Sequence, residues 1–173
     1  MNFSKIDPAV LRAASRVEFL VLDCDGVLTD GRLYFSEEGE SMKAFHVHDG
    51  QGIKAWQNAG FRTAVITARR SPIARVRSEE LGIEFVIDGV ADKAAALDDL
   101  MGTTQFVAEQ VAYVGDDISD LGPMKRVGFP VAVGNCTEPL KEVALYMTSK
   151  AGGLGAVREV TDLLLHTRES DGS

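Results

Sequence analysis

Short runs of apolar residues recur along the chain, and most of them lead into a segment that carries helix-start and helix-stop residues. Apolar runs of this length, bounded by turn residues, predict strands that are buried on both faces. Because strands that alternate with helices form parallel sheets, the pattern predicts an α/β fold with a doubly wound, Rossmann-like sheet. The predicted strands cover 19–23, 63–66, 84–87, 111–114, 130–133 and 145–147.

Capping residues set the boundaries of the predicted helices. Asp7 and Ser71 each precede a proline, the arrangement of a cap followed by the first helical position. Asp49 is predicted to cap the helix that ends at Gly60, and Gly82 ends the next one. The predicted helices cover 8–14, 49–60, 71–82, 91–100, 119–126 and 156–166.

One segment departs from this alternation. At about 31–47, two extended runs flank a polar turn that contains glycine, which predicts a β-hairpin. Its aromatic residues Tyr34, Phe35 and Phe45 would be poorly buried by their own domain, so we expect the hairpin to contact another subunit. The rest is predicted to be one domain spanning 1–173, with a polar, flexible tail at about 168–173.

Composition and charge exclude several classes of protein. The 173 residues carry a net charge of −8, which argues against a nucleic-acid partner. No apolar run has the length of a membrane span or of a signal peptide, so a cytoplasmic location is expected. Two cysteines do not indicate a disulfide framework. Cys24 is interpreted as a packing residue, because alternation along a strand points it away from its two aspartate neighbours.

Polar residues follow the strands at the edge where active sites form in open α/β sheets. Because the carboxyl ends of parallel strands share this edge, these residues are expected to meet. Clustered carboxylates suit a hard divalent cation, and one of them can attack a substrate while its neighbour moves a proton. The candidates in chain order are Asp23, Asp25, Thr67, Arg69, Arg70, Lys93, Asp116, Asp117 and Asp120.

The order of these residues resembles the motif set of the haloacid dehalogenase superfamily of phosphotransferases. The segment Asp-Cys-Asp-Gly-Val-Leu-Thr at 23–29 is similar to its first motif, and Gly-Asp-Asp-Ile-Ser-Asp at 115–120 to its fourth. Thr67 and Lys93 match the second and third motifs in register. The resemblance covers nearly the whole chain.

The resemblance implies a role for each matching residue. Asp23 would attack phosphorus, and Asp25 would protonate the leaving alcohol and then activate water. Thr67 and Lys93 would bind the phosphoryl group. Mg²⁺ would be held by Asp23 and Asp116, together with the carbonyl oxygen of Asp25.

Many relatives carry an extra cap domain between the residues that match Asp23 and Thr67, or between those that match Thr67 and Lys93. In this chain the first interval is filled by the hairpin and one helix and the second by a helix and a strand, so no cap domain is expected. The chain resembles the capless subgroup of 3-deoxy-D-manno-octulosonate 8-phosphate phosphatases, which implies a Mg²⁺-dependent enzyme of lipopolysaccharide biosynthesis. It also implies a homotetramer built through the hairpins. By the same resemblance Gly26, Ala68, Arg69 and Arg158 would contact the substrate, and Ala68 departs from the glycine usual in the family.

Several alternatives stay open on the sequence alone. The substrate could be a nine-carbon keto sugar acid 9-phosphate or another small phosphate ester. A phosphoacceptor signalling module uses similar residues on a similar sheet, but the Asp-x-Asp pair favours turnover. A non-catalytic subunit is disfavoured because every catalytic position is occupied. A metal site at His46 and His48 is conceivable because the two share a face of a predicted strand, but a third ligand is missing. The segment 152–158 could bind an anion at the start of a helix, or could simply be a turn into that helix.

Overall fold

A computed structural model describes residues 3–170, except the side chains of Ser4, Glu169 and Ser170. Its core is one sheet of six parallel strands, which confirms the parallel sheet that the alternating pattern predicted, and their order is β5-β4-β1-β6-β7-β8. A separate antiparallel hairpin, β2 with β3, stands apart from this sheet. The strands are β1 (Phe19–Leu22), β2 (Tyr34–Ser36), β3 (Gly39–Met42), β4 (Arg62–Thr67), β5 (Phe85–Asp88), β6 (Val111–Gly115), β7 (Phe129–Ala132) and β8 (Tyr146–Met147).

Helices flank the sheet and connect its strands. Helices α2 and α4 both contact β4, while α2 packs on α7 and α4 on α5. Of the part of the chain that is described, no helix is both long and apolar enough to cross a bilayer. The helices are α1 (Pro8–Ala14), α2 (Val47–Asn58), α3 (Pro72–Leu81), α4 (Lys93–Thr104), α5 (Leu121–Met124), α6 (Glu138–Lys141) and α7 (Ala156–Ser170).

The centre of the sheet determines where a ligand can bind. Strand β1 is wholly buried and pairs in parallel with β4 on one side and with β6 on the other. The chain builds β4 and β5 on one side of β1 and then crosses to place β6 on the other. A crevice therefore opens where the winding direction reverses, beyond the carboxyl end of β1. Asp23 is the first residue after that strand.

The structure corrects three of the predicted boundaries. His46, not Asp49, caps α2, because its side chain accepts a hydrogen bond from the backbone N–H of His48. The second strand of the hairpin therefore ends at Met42 instead of continuing to 47. Helix α7 runs to Ser170, past the predicted start of the tail, and residues 171–173 of that tail lie outside the described residues.

Candidate active site

A cavity of about 260 Å³ lies at the carboxyl edge of the sheet, at the end of β1. It gathers side chains from the ends of β1, β4 and β6 and from the start of α4, as the motif order predicted. The predicted site residues that line it are Asp23, Asp25, Thr67, Ala68, Arg69, Lys93, Asp116 and Asp117.

The loop after β1 wraps around the side chain of Thr29, which is buried and whose hydroxyl group holds the loop together. Its oxygen accepts hydrogen bonds from the backbone N–H groups of Gly26 at 3.3 Å and Gly31 at 3.2 Å. Gly26 has a φ of +97°, and a Cβ there would lie 2.0 Å from Oδ2 of Asp116. Only glycine fits this position, because it permits both the left-handed backbone and the close approach of Asp116.

Asp23 and Lys93 form a buried ion pair in the centre of the cavity. The Nζ atom of Lys93 lies 2.7 Å from Oδ1 of Asp23 and 2.8 Å from Oδ1 of Asp120. Lys93 reaches them from the first turn of α4, whose cap is Asp92. Burial opposes the charged form of Lys93, but Asp23 and Asp120 outweigh it and raise the pKa of the amine. The lysine is therefore a fixed positive charge beside Asp23.

Asp120 is fully buried and organises the fourth motif. One of its oxygens, Oδ1, accepts from Lys93 and, at 2.8 Å, from the hydroxyl group of Tyr113. The other, Oδ2, accepts from the backbone N–H groups of Asp116 at 3.1 Å and Asp117 at 3.2 Å. Asp120 thus orients Lys93 and also fixes the loop after β6, but its side chain makes no capping hydrogen bond to α5. Asp117 is exposed and caps the short turn that follows.

The positive charge of Lys93 is not enough to stabilise all the ionised carboxylates of this cavity. Burial, followed by repulsion from Asp120, raises the pKa of Asp23 well above its usual value, although Lys93 partly offsets it. The same two causes raise the pKa of Asp116 to about 6. A site that disfavours its own ionised carboxylates in this way favours binding of a cation.

The donor set fits a hard divalent cation such as Mg²⁺. Carboxylate oxygens of Asp23, Asp116 and Asp120 lie within 4.8 Å of one another, and oxygen ligands are those that Mg²⁺ prefers. Both oxygens of Asp120 are already used by protein donors. Asp23 and Asp116 are therefore the carboxylates of this group that remain available to a metal.

Two charged residues of the site were missed by the sequence analysis. Glu40 and Lys43 come from the hairpin and its end, and the ammonium group of Lys43 forms an ion pair with Asp25. Two opposite charges three residues apart look like an ordinary solvated pair on a hairpin. Only the fold shows that Lys43 is buried and reaches across to Asp25.

Cys24 has the packing role that strand alternation predicted. Its side chain is buried, and burial, with smaller contributions from Asp25 and Asp23, raises the pKa of the thiol to about 12. A thiol with such a pKa is not a nucleophile at neutral pH.

Arg158 is not brought together with the other predicted site residues. It lines a separate cavity of about 470 Å³ beside His46 and His48, and its Nε lies 2.7 Å from Oδ1 of Asp162. The carboxylate of Asp49 accepts hydrogen bonds from the backbone N–H groups of Gly155, at 3.2 Å, and Arg158, at 2.8 Å. This start of α7 already holds a carboxylate of the protein, and the two histidines cap or begin α2 without forming a metal cluster among the described residues.

The family model for haloacid dehalogenase-like hydrolases matches residues 68–159 of the chain. The chain is 42% identical over 163 residues to 3-deoxy-D-manno-octulosonate 8-phosphate phosphatase KdsC of Salmonella typhimurium, covering 94% of this chain and 87% of that protein. It is 41% identical over 163 residues to the protein of the same name in Escherichia coli K12, with the same coverage of both chains.

Solved structures of such phosphatases have the same fold. The enzyme of Yersinia pestis superposes with a TM-score of 0.92 at 40% identity, over 95% of this chain and 89% of that one. The enzyme of Moraxella catarrhalis, solved with magnesium, phosphate and KDO, has a TM-score of 0.90 at 38% identity over 94% of both chains. The chain therefore belongs to the haloacid dehalogenase-like hydrolase family and is a phosphatase, an enzyme that hydrolyses phosphoric monoesters.

Proposed function

We propose that the chain hydrolyses 3-deoxy-D-manno-octulosonate 8-phosphate with Mg²⁺, through a phosphoryl group carried covalently on Asp23. The observation that carries the proposal is one cavity in which Lys93 touches Asp23 while Asp25 and Asp116 stand beside them. The substrate is inferred from the relatives, because the named function of the curated relatives is this reaction and the Moraxella structure contains KDO.

In the first step, an oxygen of Asp23 forms a bond to phosphorus as the bond to the sugar oxygen breaks. Asp25 gives a proton to that leaving oxygen, so the sugar departs as a neutral alcohol. Lys93 neutralises the negative charge that gathers between Asp23 and the phosphoryl oxygens. Thr67 is buried and its oxygen accepts from the backbone N–H of Arg69 at 3.4 Å, which leaves the hydroxyl proton available to a phosphoryl oxygen.

In the second step, Asp25 takes a proton from water as the water oxygen bonds to phosphorus. The bond between Asp23 and phosphorus then breaks, which restores the carboxylate and releases inorganic phosphate. Asp23, Asp116 and the carbonyl oxygen of Asp25 would hold Mg²⁺. When bound, this ion supplies positive charge that offsets repulsion between the carboxylates and the phosphate.

Residues at the rim of the cavity would select the sugar acid. The side chain of Arg69 is 41% exposed and lies 3.7 Å from Asp25, where it would contact the substrate carboxylate or phosphate. Gly26 and Ala68 would border the phosphoryl site, and the extra methyl of Ala68 would narrow it. Arg158, which lies in the other cavity, would reach substrate only in a neighbouring subunit.

The hairpin would join four such subunits. Of the three aromatic residues expected to be poorly buried, only Phe35 is exposed, at 61%, whereas Tyr34 is half-buried and Phe45 packs against the core. Met42 is 52% exposed, and Leu33 and Val47 are also exposed. Apolar side chains gathered on a projecting element are typical of a subunit interface. We propose a homotetramer in which these residues pack against their counterparts.

A phosphate-release screen tests the substrate assignment. We expect kcat/KM for 3-deoxy-D-manno-octulosonate 8-phosphate to exceed that for hexose 6-phosphates by at least about 10²-fold, since a site built to pair a carboxylate discriminates against substrates that lack one. A nine-carbon keto acid 9-phosphate serves as the matched comparison. A higher kcat/KM for that compound, or for a hexose phosphate, would contradict the assignment.

A further inference from the structure

Lys43 lies just after β3, at the base of the hairpin, and its side chain is only 1% exposed. An ammonium group in such a place is costly unless opposite charges and hydrogen bonds compensate for its lost hydration. Its two partners are Oδ1 of Asp25, with which it forms a hydrogen-bonded ion pair, and Oε1 of Glu40 at 2.8 Å. Lys43 thus bridges the loop of the first motif and the hairpin.

Glu40 fixes this bridge from a second direction. Its Oε2 accepts a hydrogen bond of 2.5 Å from the hydroxyl group of Ser71, and the same hydroxyl oxygen accepts from the backbone N–H of Ala74 in the first turn of α3. The segment that ends at Ser71 begins with Thr67 at the end of β4. Lys43 is therefore held against two of the loops that form the cavity.

The arrangement makes the two oxygens of Asp25 unequal. Lys43 occupies Oδ1, whereas Oδ2 is buried and has no hydrogen-bond partner among the residues that the structure describes. The Nε atom of Arg69 lies 3.7 Å from Oδ2, which is too far for a hydrogen bond. A general acid works only when the oxygen that carries the proton faces the leaving group.

We propose that Lys43 is a positioning residue that fixes the carboxyl group of Asp25 through Oδ1, so that Oδ2 exchanges the proton with the leaving group and with water. The inference rests on the proposed function, in which Asp25 is the general acid. The hairpin then has two roles: its exposed apolar residues would contact another subunit, and Lys43 at its base orients Asp25 within the same subunit.

The test compares two leaving groups in the variant Lys43→Met. An alkyl phosphate needs protonation of its leaving oxygen, whereas para-nitrophenyl phosphate releases a stable phenolate without it. We expect the ratio of kcat/KM for 3-deoxy-D-manno-octulosonate 8-phosphate to that for para-nitrophenyl phosphate to fall about tenfold or more, part of the 10²–10⁴-fold that a general acid supplies. In Lys43→Gln, whose amide can still donate to Asp25, the ratio should lie between wild type and Lys43→Met.

The control is Lys54→Met, the same substitution at an exposed lysine of α2, which should keep the wild-type ratio. Equal losses on both substrates, or an unchanged ratio, would overturn the inference, because a purely structural lysine affects both reactions alike. If Lys43→Met does not fold by circular dichroism, Lys43→Gln decides alone, and a wild-type ratio there overturns the inference. No phosphate release by wild type from either substrate would instead overturn the proposed function, and the inference with it.

Discussion

Replacing Asp23 with Asn should lower kcat/KM for phosphate release by on the order of 10⁴-fold or more, the scale on which loss of a nucleophile acts. The substitution keeps the size of the side chain but removes the carboxylate that would attack phosphorus. Folding should survive, because Lys93 keeps its contact with Asp120 at 2.8 Å. Burial and Asp120 already disfavour the ionised form of Asp23 by raising its pKa, so a neutral side chain relieves that cost.

Asp99→Asn is the matched control for this prediction. It makes the same chemical change on an exposed residue of α4, and it should leave both activity and the thermal midpoint near wild-type values. Initial rates of phosphate release and circular dichroism give the two readouts. Activity of Asp23→Asn within tenfold of the control would show that another group attacks phosphorus.

Removing divalent metal should have the second largest effect. We expect EDTA to stop phosphate release and added Mg²⁺ to restore it, because the clustered carboxylates and the phosphate would otherwise repel one another. In Asp116→Asn the affinity for Mg²⁺ should fall by at least about 10–100-fold, the loss typical of partners that do not even touch the metal. Titration calorimetry with Mg²⁺ alone measures this affinity without reference to turnover.

The same site predicts how pH affects the metal-free protein. Burial and Asp120 raise the pKa of Asp116 to about 6, so the folded state holds this proton more tightly than the unfolded state does. The resulting stability is fully present below pH about 4 and is lost as pH rises through about 6. The free energy of unfolding of wild type should therefore fall relative to Asp116→Asn across this range, by on the order of 2 kcal/mol.

Denaturant unfolding in EDTA at several pH values checks this expectation, with saturating Mg²⁺ as the comparison. Bound metal should remove most of the difference between wild type and variant in pH dependence, since it replaces the proton. Parallel curves of unfolding free energy against pH for wild type and Asp116→Asn in EDTA would mean that the fold does not raise the pKa of Asp116. Turnover that continues undiminished in EDTA would exclude the metal from the reaction.

The positions of the strands and their parallel pairing were the most predictable part of the fold. Short apolar runs such as 19–23 mark buried strands directly, because a parallel sheet covered on both faces tolerates few polar residues. Capping residues placed α3 within a residue, since Ser71, Pro72 and Gly82 carry their conformational preferences locally. The predicted start of α2 was wrong because Asp49 is a preferred cap residue by type, whereas histidine is not. Only tertiary contact shows that Asp49 instead accepts from the start of α7.

The site was predictable where residues follow strands and unpredictable where they do not. Asp23, Thr67, Lys93 and Asp116 come at the ends or starts of elements, so topology alone brings them together in one cavity. Lys43 reaches Asp25, a residue of the same cavity, from the base of the hairpin, whose packing depends on contacts far apart in sequence. Arg158 shows the opposite case, because a family resemblance named it while the subunit places it in another cavity.

The proposal as a whole depends on a phosphoryl group bound to Asp23, and trapping that group is its most direct test. In Asp25→Asn, para-nitrophenyl phosphate should still phosphorylate Asp23, but no base would activate water, so the acyl phosphate should accumulate. Rapid quenching followed by borohydride reduction converts an acyl phosphate to homoserine and leaves a free carboxylate unchanged. Peptide mass spectrometry should find homoserine at position 23 only. Homoserine at another position, or no homoserine although para-nitrophenol is released, would contradict the account.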